Sequence, residues 1–300
     1  MKINFAVCLL TALASLIVFS GPSALAADKE GAFVLVVMDP LSAPLSCDCV
    51  KGYAQRKYEV LGAYLQLKLK RPVKVFWAQS LPKALETETD GKADLIIGKH
   101  SVVLHAAKES KLKVEPVAAL TGADGKTTQT GLVVVRANDA AQSVDDLAGY
   151  RIFFGPEDCD EKWAAPRAFL KAHGVDVAKL TEKHDACSEA AIALVGLEAD
   201  AKAAAVISSY AGPLLEGCGS VKKGDLRVIG TTKEVPFITA FVNETLSGED
   251  VAAVSAALLK VGEDADLLIA LETDSGFVPF EETEKQTAAA VPADEKKKKN

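Results

Sequence analysis

Hydrophobic and polar positions along the chain follow two periods. Residues 33–38, Phe-Val-Leu-Val-Val-Met, form an unbroken apolar run of strand length, the pattern of a strand buried on both faces. A loop with Pro40 and Pro44 follows. Between Tyr53 and Leu69 the apolar positions Tyr58, Leu61, Leu65 and Leu69 recur at helical spacing, and Arg71-Pro72 closes that predicted helix. Val73 to Trp77 reads as a second strand, Leu81 to Glu88 as a helix ended by Gly91, and Ala93 to Ile97 as a third strand. This order of strands and helices predicts parallel pairing through crossover helices.

A polar, turn-rich stretch from Ala123 to Thr130 leads into a β-branched strand, Gly131 to Arg136. Ser143 to Leu147 has the pattern of a capped single turn. Arg151 to Phe154 reads as a strand and Trp163 to His173 as a helix that Gly174 terminates. Ser188 to Leu197 is a predicted helix with Ser188 as its N-cap. Ala203 to Ser209, Leu226 to Ile229 and Phe237 to Val242 read as strands, and Ser247 to Val261 as a helix. No repeat of 20 to 50 residues is present, which disfavours solenoids and propellers. The pattern fits two α/β units joined near Thr130 and near Pro236. Two crossings make a hinge, and the cleft between the units is where a ligand would sit.

The two ends of the chain differ from the rest. Lys2 precedes an apolar run from Phe5 to Phe19, broken by Gly21-Pro22 ahead of the small-residue site Ala24-Leu25-Ala26. That is the pattern of a cleaved secretory signal over residues 1–26, and the run is shorter than the roughly 20 residues a membrane span needs. No cysteine lies just after the cleavage site, so a lipid anchor is not expected, the run is too short for a membrane anchor, and the mature chain is expected in the periplasm. Residues 283–300 are rich in Ala, Glu and Lys and are expected to be disordered. With 34 basic against 41 acidic side chains, the chain lacks the footprint of a nucleic-acid binder. Five cysteines follow the leader: Cys47, Cys49, Cys159, Cys187 and Cys218. Export favours disulfides, and an odd number leaves at least one cysteine out of intrachain pairing.

Three stretches carry a family likeness: Gly131-Leu-Val-Val-Val-Arg136, Ser143-Val-Asp-Asp-Leu-Ala-Gly149, and Arg151-Ile-Phe-Phe-Gly155. In this order they resemble the second lobe of the phosphate/phosphite/phosphonate-type periplasmic binding proteins of ABC transporters. Cys187 to Leu194, Glu198 to Asp200 and Ala204 to Ser209 continue the resemblance, which covers about residues 33–262. It implies a two-lobed type II periplasmic-binding-protein fold of α/β class with two hinge crossings. Lobe one is then residues 27–128 plus 238–282, and lobe two is residues 129–237. It also implies capture of a small solute by hinge closure, for delivery to an ABC permease, with no cofactor required. Relatives that bind phosphonates have a Ser-Thr pair after the strand written here as Arg151 to Gly155. This chain has Glu157-Asp158-Cys159-Asp160-Glu161 there.

The candidate ligand-binding residues are Cys47, Cys49, Tyr53, Lys99, His100, Ser101, Cys159, Asp160, Ser188, Ser208 and Tyr210. They fall at strand ends and helix starts, where α/β folds place ligands. Arg56 could pair with a carboxylate ligand, although a solvated face is the expectation for it. Cys47, Cys49, Cys159 and Cys187 form a second candidate set, a site for copper or zinc, with His100 or His184 as further ligands. The competing expectation for these cysteines is a structural disulfide, Cys159 with Cys187 or Cys187 with Cys218. No Gly-X-Ser-X-Gly, Walker or His-Glu-X-X-His motif is present, and Asp39, Asp158, Asp160 and Glu161 are expected to be solvated loop acids. A binding protein is therefore expected in place of an enzyme. The alternatives are a cysteine-based metal or redox protein and a module serving a partner oxidoreductase.

Overall fold

A computed structural model describes residues 31–46, 55–177, 181–185, 188–198 and 200–281. The leader, residues 47–54 and the C-terminal tail lie outside the described residues. The first lobe begins with β1 (Phe33–Met38), α1 (Tyr58–Leu69), β2 (Val73–Trp77), α2 (Leu81–Thr87), β3 (Leu95–Lys99), α3 (His100–Glu109) and β4 (Val114–Leu120). The chain crosses at β5 (Thr128–Gln129). The second lobe holds β6 (Gly131–Arg136), β7 (Arg151–Phe154), α4 (Ala164–Ala172), β8 (Thr181–Lys183), α5 (Glu189–Val195), β9 (Ala203–Ser208), α6 (Ala211–Gly217) and β10 (Leu226–Thr231). It returns through β11 (Val235–Pro236) to β12 (Ile238–Asn243), α7 (Gly248–Leu259), α8 (Ala265–Ala270) and β13 (Phe277–Pro279) in the first lobe.

The first sheet has the order β13-β4-β12-β3-β1-β2 and the second β10-β6-β9-β7-β8. The predicted parallel pairs form: β1 lies parallel between β2 and β3, and β7 lies parallel between β8 and β9. The strands adjoining the crossings, β6 and β12, are antiparallel to their neighbours. The crossings themselves pair as a short antiparallel ribbon, Val235 with Gln129 and Pro236 with Thr128. A ribbon of two residues a side is the narrowest link between the sheets, which suits a hinge.

Strand periodicity explains the layers. Phe33, Leu35 and Val37 of β1 pack under α1, α7 and α8, whereas Val34, Val36 and Met38 pack under α2 and α3. The second lobe repeats the scheme, with Val134 and Phe153 toward α5 and α6, and Val133, Ile152 and Phe154 toward α4. Both sheets are thus covered on both faces, which is why their strands read as continuous apolar runs.

Two departures from the sequence reading have local causes. The helix expected from Tyr53 begins only at Tyr58. The backbone of Arg56 is tied instead to the loop after β1, donating to Leu41 O at 2.8 Å and accepting from Ala43 N at 2.9 Å. Strand β4 was not anticipated, because Pro116 lies within it. Its register against β12 slips there, Phe241 facing Pro116 and Ala240 facing Ala118, and this bulge accommodates the missing N–H.

Candidate ligand-binding cleft

The carboxyl ends of β1, β3, β7 and β9 point toward the space between the lobes. A cavity of about 550 Å³ opens there. Lobe one contributes Met38, Leu41, Lys99 and Val102, and lobe two contributes Pro156, Asp158, Cys159, Lys162, Ser188 and Tyr210. A volume of this size lies in the range of small-molecule sites, about 300–1,000 Å³.

The lobes also touch directly across the cleft. The Lys99 ammonium, at the end of β3, forms an ion pair with the carboxylate of Glu161 from the loop after β7, and the Glu161 side chain is fully buried. Ser208 Oγ, at the end of β9, donates to Glu161 Oε1 at 2.7 Å. Glu161 Oε2 is buried and accepts no hydrogen bond among the described residues. Cys159 Sγ lies 3.7 Å from Lys99 Nζ. In the first turn of α3, Ser101 Oγ donates to Asp158 O at 2.7 Å and accepts from Asp160 N at 3.1 Å.

Gly131 makes this loop position possible. A Cβ at Gly131 would stand 2.0 Å from Glu161 O, so only glycine lets the loop lie against the start of β6.

Burial tends to raise the Glu161 pKa, but Lys99 and Lys162, with hydrogen bonds from Lys99 and Ser208, outweigh it and hold the carboxyl below its usual range. Burial pushes the Cys159 thiol up to about 11, against the pull of Lys99. Asp160 is raised by burial and then by Glu161.

A second buried ion pair braces lobe one. Asp39 Oδ2 accepts from Arg56 Nη1 at 2.8 Å and from Tyr58 OH at 2.6 Å, and its Oδ1 accepts from Leu41 N at 2.8 Å. Arg56 Nε donates to Leu271 O at 3.0 Å. Arg56 is therefore not on a solvated face, and Asp39 and Glu161 are not solvated loop acids; each acid is wholly buried with a cationic partner.

The candidate residues divide into groups. Lys99, Cys159, Ser188 and Tyr210 line the cavity. Ser101, Asp160 and Ser208 lie in the contacts that join the lobes, Asp160 through its backbone N–H. His100 faces away into lobe one. Its Nδ1 is 3.2 Å from Thr239 Oγ1, its ring stacks on Phe280, and burial lowers its pKa to about 4. Ser188 precedes α5 but makes no side-chain cap hydrogen bond. Cys47, Cys49, Tyr53 and Cys187 lie outside the described residues. Cys159 is a free thiol, and Cys187, common to both expected bridges (with Cys159 or with Cys218), lies outside the described residues. Glu161, expected from the sequence to be a solvated loop acid, is instead buried in the contact that joins the lobes. Its partner Lys99 is 62 residues away, and no local pattern signals the pairing.

The family described as "ABC transporter, phosphonate, periplasmic substrate-binding protein" matches residues 52–286. The chain belongs to this family. It is the extracytoplasmic solute-binding component of an ABC-type uptake system. The fold agrees with solved relatives of low identity. A Xanthomonas citri protein bound to ATP is 14% identical, with a TM-score of 0.63 over 83% of this chain and 91% of that one. The binding-protein component of an ABC phosphonate transporter from Pseudomonas aeruginosa is 17% identical, with a TM-score of 0.61 over 83% and 81%. A Prochlorococcus marinus protein in complex with methylphosphonate is 16% identical, with a TM-score of 0.61 over 85% and 94%. The sequence matches no curated protein.

The copper, zinc and redox alternative finds no support here. Among the described residues no group of three or more His, Cys, Asp and Glu side chains could hold a metal ion. No helix among the described residues is long and apolar enough to cross a membrane.

Proposed function

We propose that the protein captures a small solute in the cleft cavity by closing its lobes about the β5–β11 ribbon, and hands that solute to an ABC permease without catalysing a reaction. The observation that carries this reading is the make-up of the cavity wall. Met38, Leu41 and Lys99 come from one lobe, and Cys159, Lys162 and Tyr210 from the other. A solute that touches both sets binds the closed form better than the open one and so shifts the population toward closure. Lys99, Cys159, Ser188 and Tyr210 are its proposed contacts.

The apolar leader at residues 5–19 is proposed to export the chain and to be cleaved after Ala26. The experiment is small-angle scattering on the mature protein, with and without a fractionated periplasmic solute pool. A fraction that lowers the radius of gyration and raises the melting temperature is expected. A protein that no fraction compacts or stabilises would not be a solute receptor.

A further inference from the structure

Two side chains of lobe two belong to both cores. Tyr210 and Leu214 pack against the apolar cluster of the first sheet and against that of the second, and among the described residues no other partly buried hydrophobic does so. They stand four positions apart at the start of α6, a spacing that puts them on one face of the helix. With Leu41 of lobe one they border the cleft cavity and also a second cavity, of about 540 Å³, on the hinge side. These three side chains thus form a partition between the two spaces.

The Tyr210 ring lies on Phe237, with centroids 5.1 Å apart and planes 25° from parallel. Phe237 belongs to the core of lobe one and is fixed at the crossings. Its N–H donates to Thr127 O at 2.9 Å, and its carbonyl accepts from His100 N at 2.8 Å. The Arg56 guanidinium, ion-paired to Asp39, stands 5.6 Å from the Phe237 centroid. Tyr210 follows β9 and leads into α6, so it moves with lobe two. Rotation about the hinge must therefore slide or part the two rings. We propose that the stack of Tyr210 on Phe237, with Leu214 beside it, is the positioning contact that sets the balance between open and closed lobes. It rests on the solute-receptor reading above and assigns the closure of that same site to named residues. Parting the lobes exposes apolar surface of Tyr210 and Leu214 and loses the ring pair, so the contact favours the closed form. The solute supplies the remainder by binding that form. Phe237 borders the hinge-side cavity and not the cleft cavity, so it tunes solute affinity without touching the solute.

The test is small-angle scattering on the full mature chain without added solute, each profile fitted as a mixture of open and closed forms. Tyr210→Ala is expected to lower the closed-to-open ratio by roughly two- to tenfold, the range set by an aromatic pair. Phe237→Leu keeps the core of lobe one filled but removes the stack, and is expected to move the ratio the same way. Tyr210→Phe keeps the ring and is expected to keep the wild-type ratio.

A folded Phe237→Leu protein with the wild-type ratio overturns the proposal. So does a Tyr210→Phe protein as open as Tyr210→Ala, because the effect then belongs to the hydroxyl and not to the stack. Should Phe237→Leu fail to fold, the comparison of Tyr210→Ala with Tyr210→Phe decides, and an equal ratio in those two proteins sinks the idea. None of these outcomes touches the receptor reading, which falls only if no periplasmic solute closes the wild-type lobes.

Discussion

Arg56 and Asp39 form a buried ion pair inside lobe one, and Lys99 and Glu161 form another between the lobes. Both acids are fully buried. In the first pair both carboxylate oxygens accept hydrogen bonds, and Arg56 reaches a backbone carbonyl as well. In the second, one oxygen takes two donors and the other takes none among the described residues. The first pair is enclosed by one lobe and cannot return to water without unfolding it. The second returns to water when the hinge opens. Two pairs of the same chemistry therefore serve different ends: one fixes the frame of a single lobe, and the other ties the two lobes to each other.

The largest expected effect comes from breaking the enclosed pair. Asp39→Ala leaves Arg56 buried without its carboxylate, which typically costs about 3–5 kcal/mol. Equilibrium denaturation should show the loss directly, and a change near zero would mean that the network does not brace lobe one.

Gly131→Ala acts on the other pair alone. Its Cβ would meet Glu161 O at 2.0 Å, so the loop must shift, at an expected cost of about 1–3 kcal/mol. Scattering should report a more open protein, with the circular dichroism of lobe one unchanged. A closed, fully stable variant would show that the Lys99–Glu161 contact does not depend on this close approach.

Acid should separate the two regions by pH. His100, in lobe one, has a folded pKa of about 4 against an ordinary 6.5. The unfolded chain therefore binds more protons between those values, and stability falls as pH drops through that window. His100→Phe should flatten this part of the urea-midpoint profile. Glu161 has a folded pKa below its ordinary 4.5, so its contribution is present above that value and is lost only as pH falls further. Opening measured by scattering should accordingly begin below about pH 4.5, after the His100 phase. Opening that coincides with the histidine phase would contradict the separation.

The smallest effect belongs to the exposed pair beside the hinge, Lys126 with Glu234 at 3.7 Å. Lys126→Ala should change stability by less than about 1 kcal/mol, as exposed pairs generally do. A larger change in the denaturation midpoint would show that the hinge ribbon relies on it.

Much of the architecture is legible in the sequence, because it rests on local patterns. The apolar runs at Phe33–Met38, Gly131–Arg136 and Ala203–Ser208 are strands because each is buried on two faces. Ser143 and Asp146 announce a capping box, and Gly174 marks a helix end with φ of +75°. The two crossings followed from where the strand pattern broke and resumed. The family likeness came from the order of those same segments. Strand β4 and helix α6 escaped notice because Pro116 and Gly212-Pro213 argue locally against strand and helix, and tertiary packing overrides them.

The cleft was legible only in part. Lys99, Cys159, Ser188 and Tyr210 were within reach because strand ends and helix starts are where α/β folds hold ligands. The burial of Arg56 with Asp39, and of Lys99 with Glu161, was not. A charged residue in a loop looks the same in sequence whether it faces water or a partner 17 or 62 positions away. Periodicity and capping residues, acting within a few positions, determined the elements and their order. The pairing of charges and the choice of cavity-lining side chains were decided by long-range contacts that exist only once the two sheets are folded and brought together.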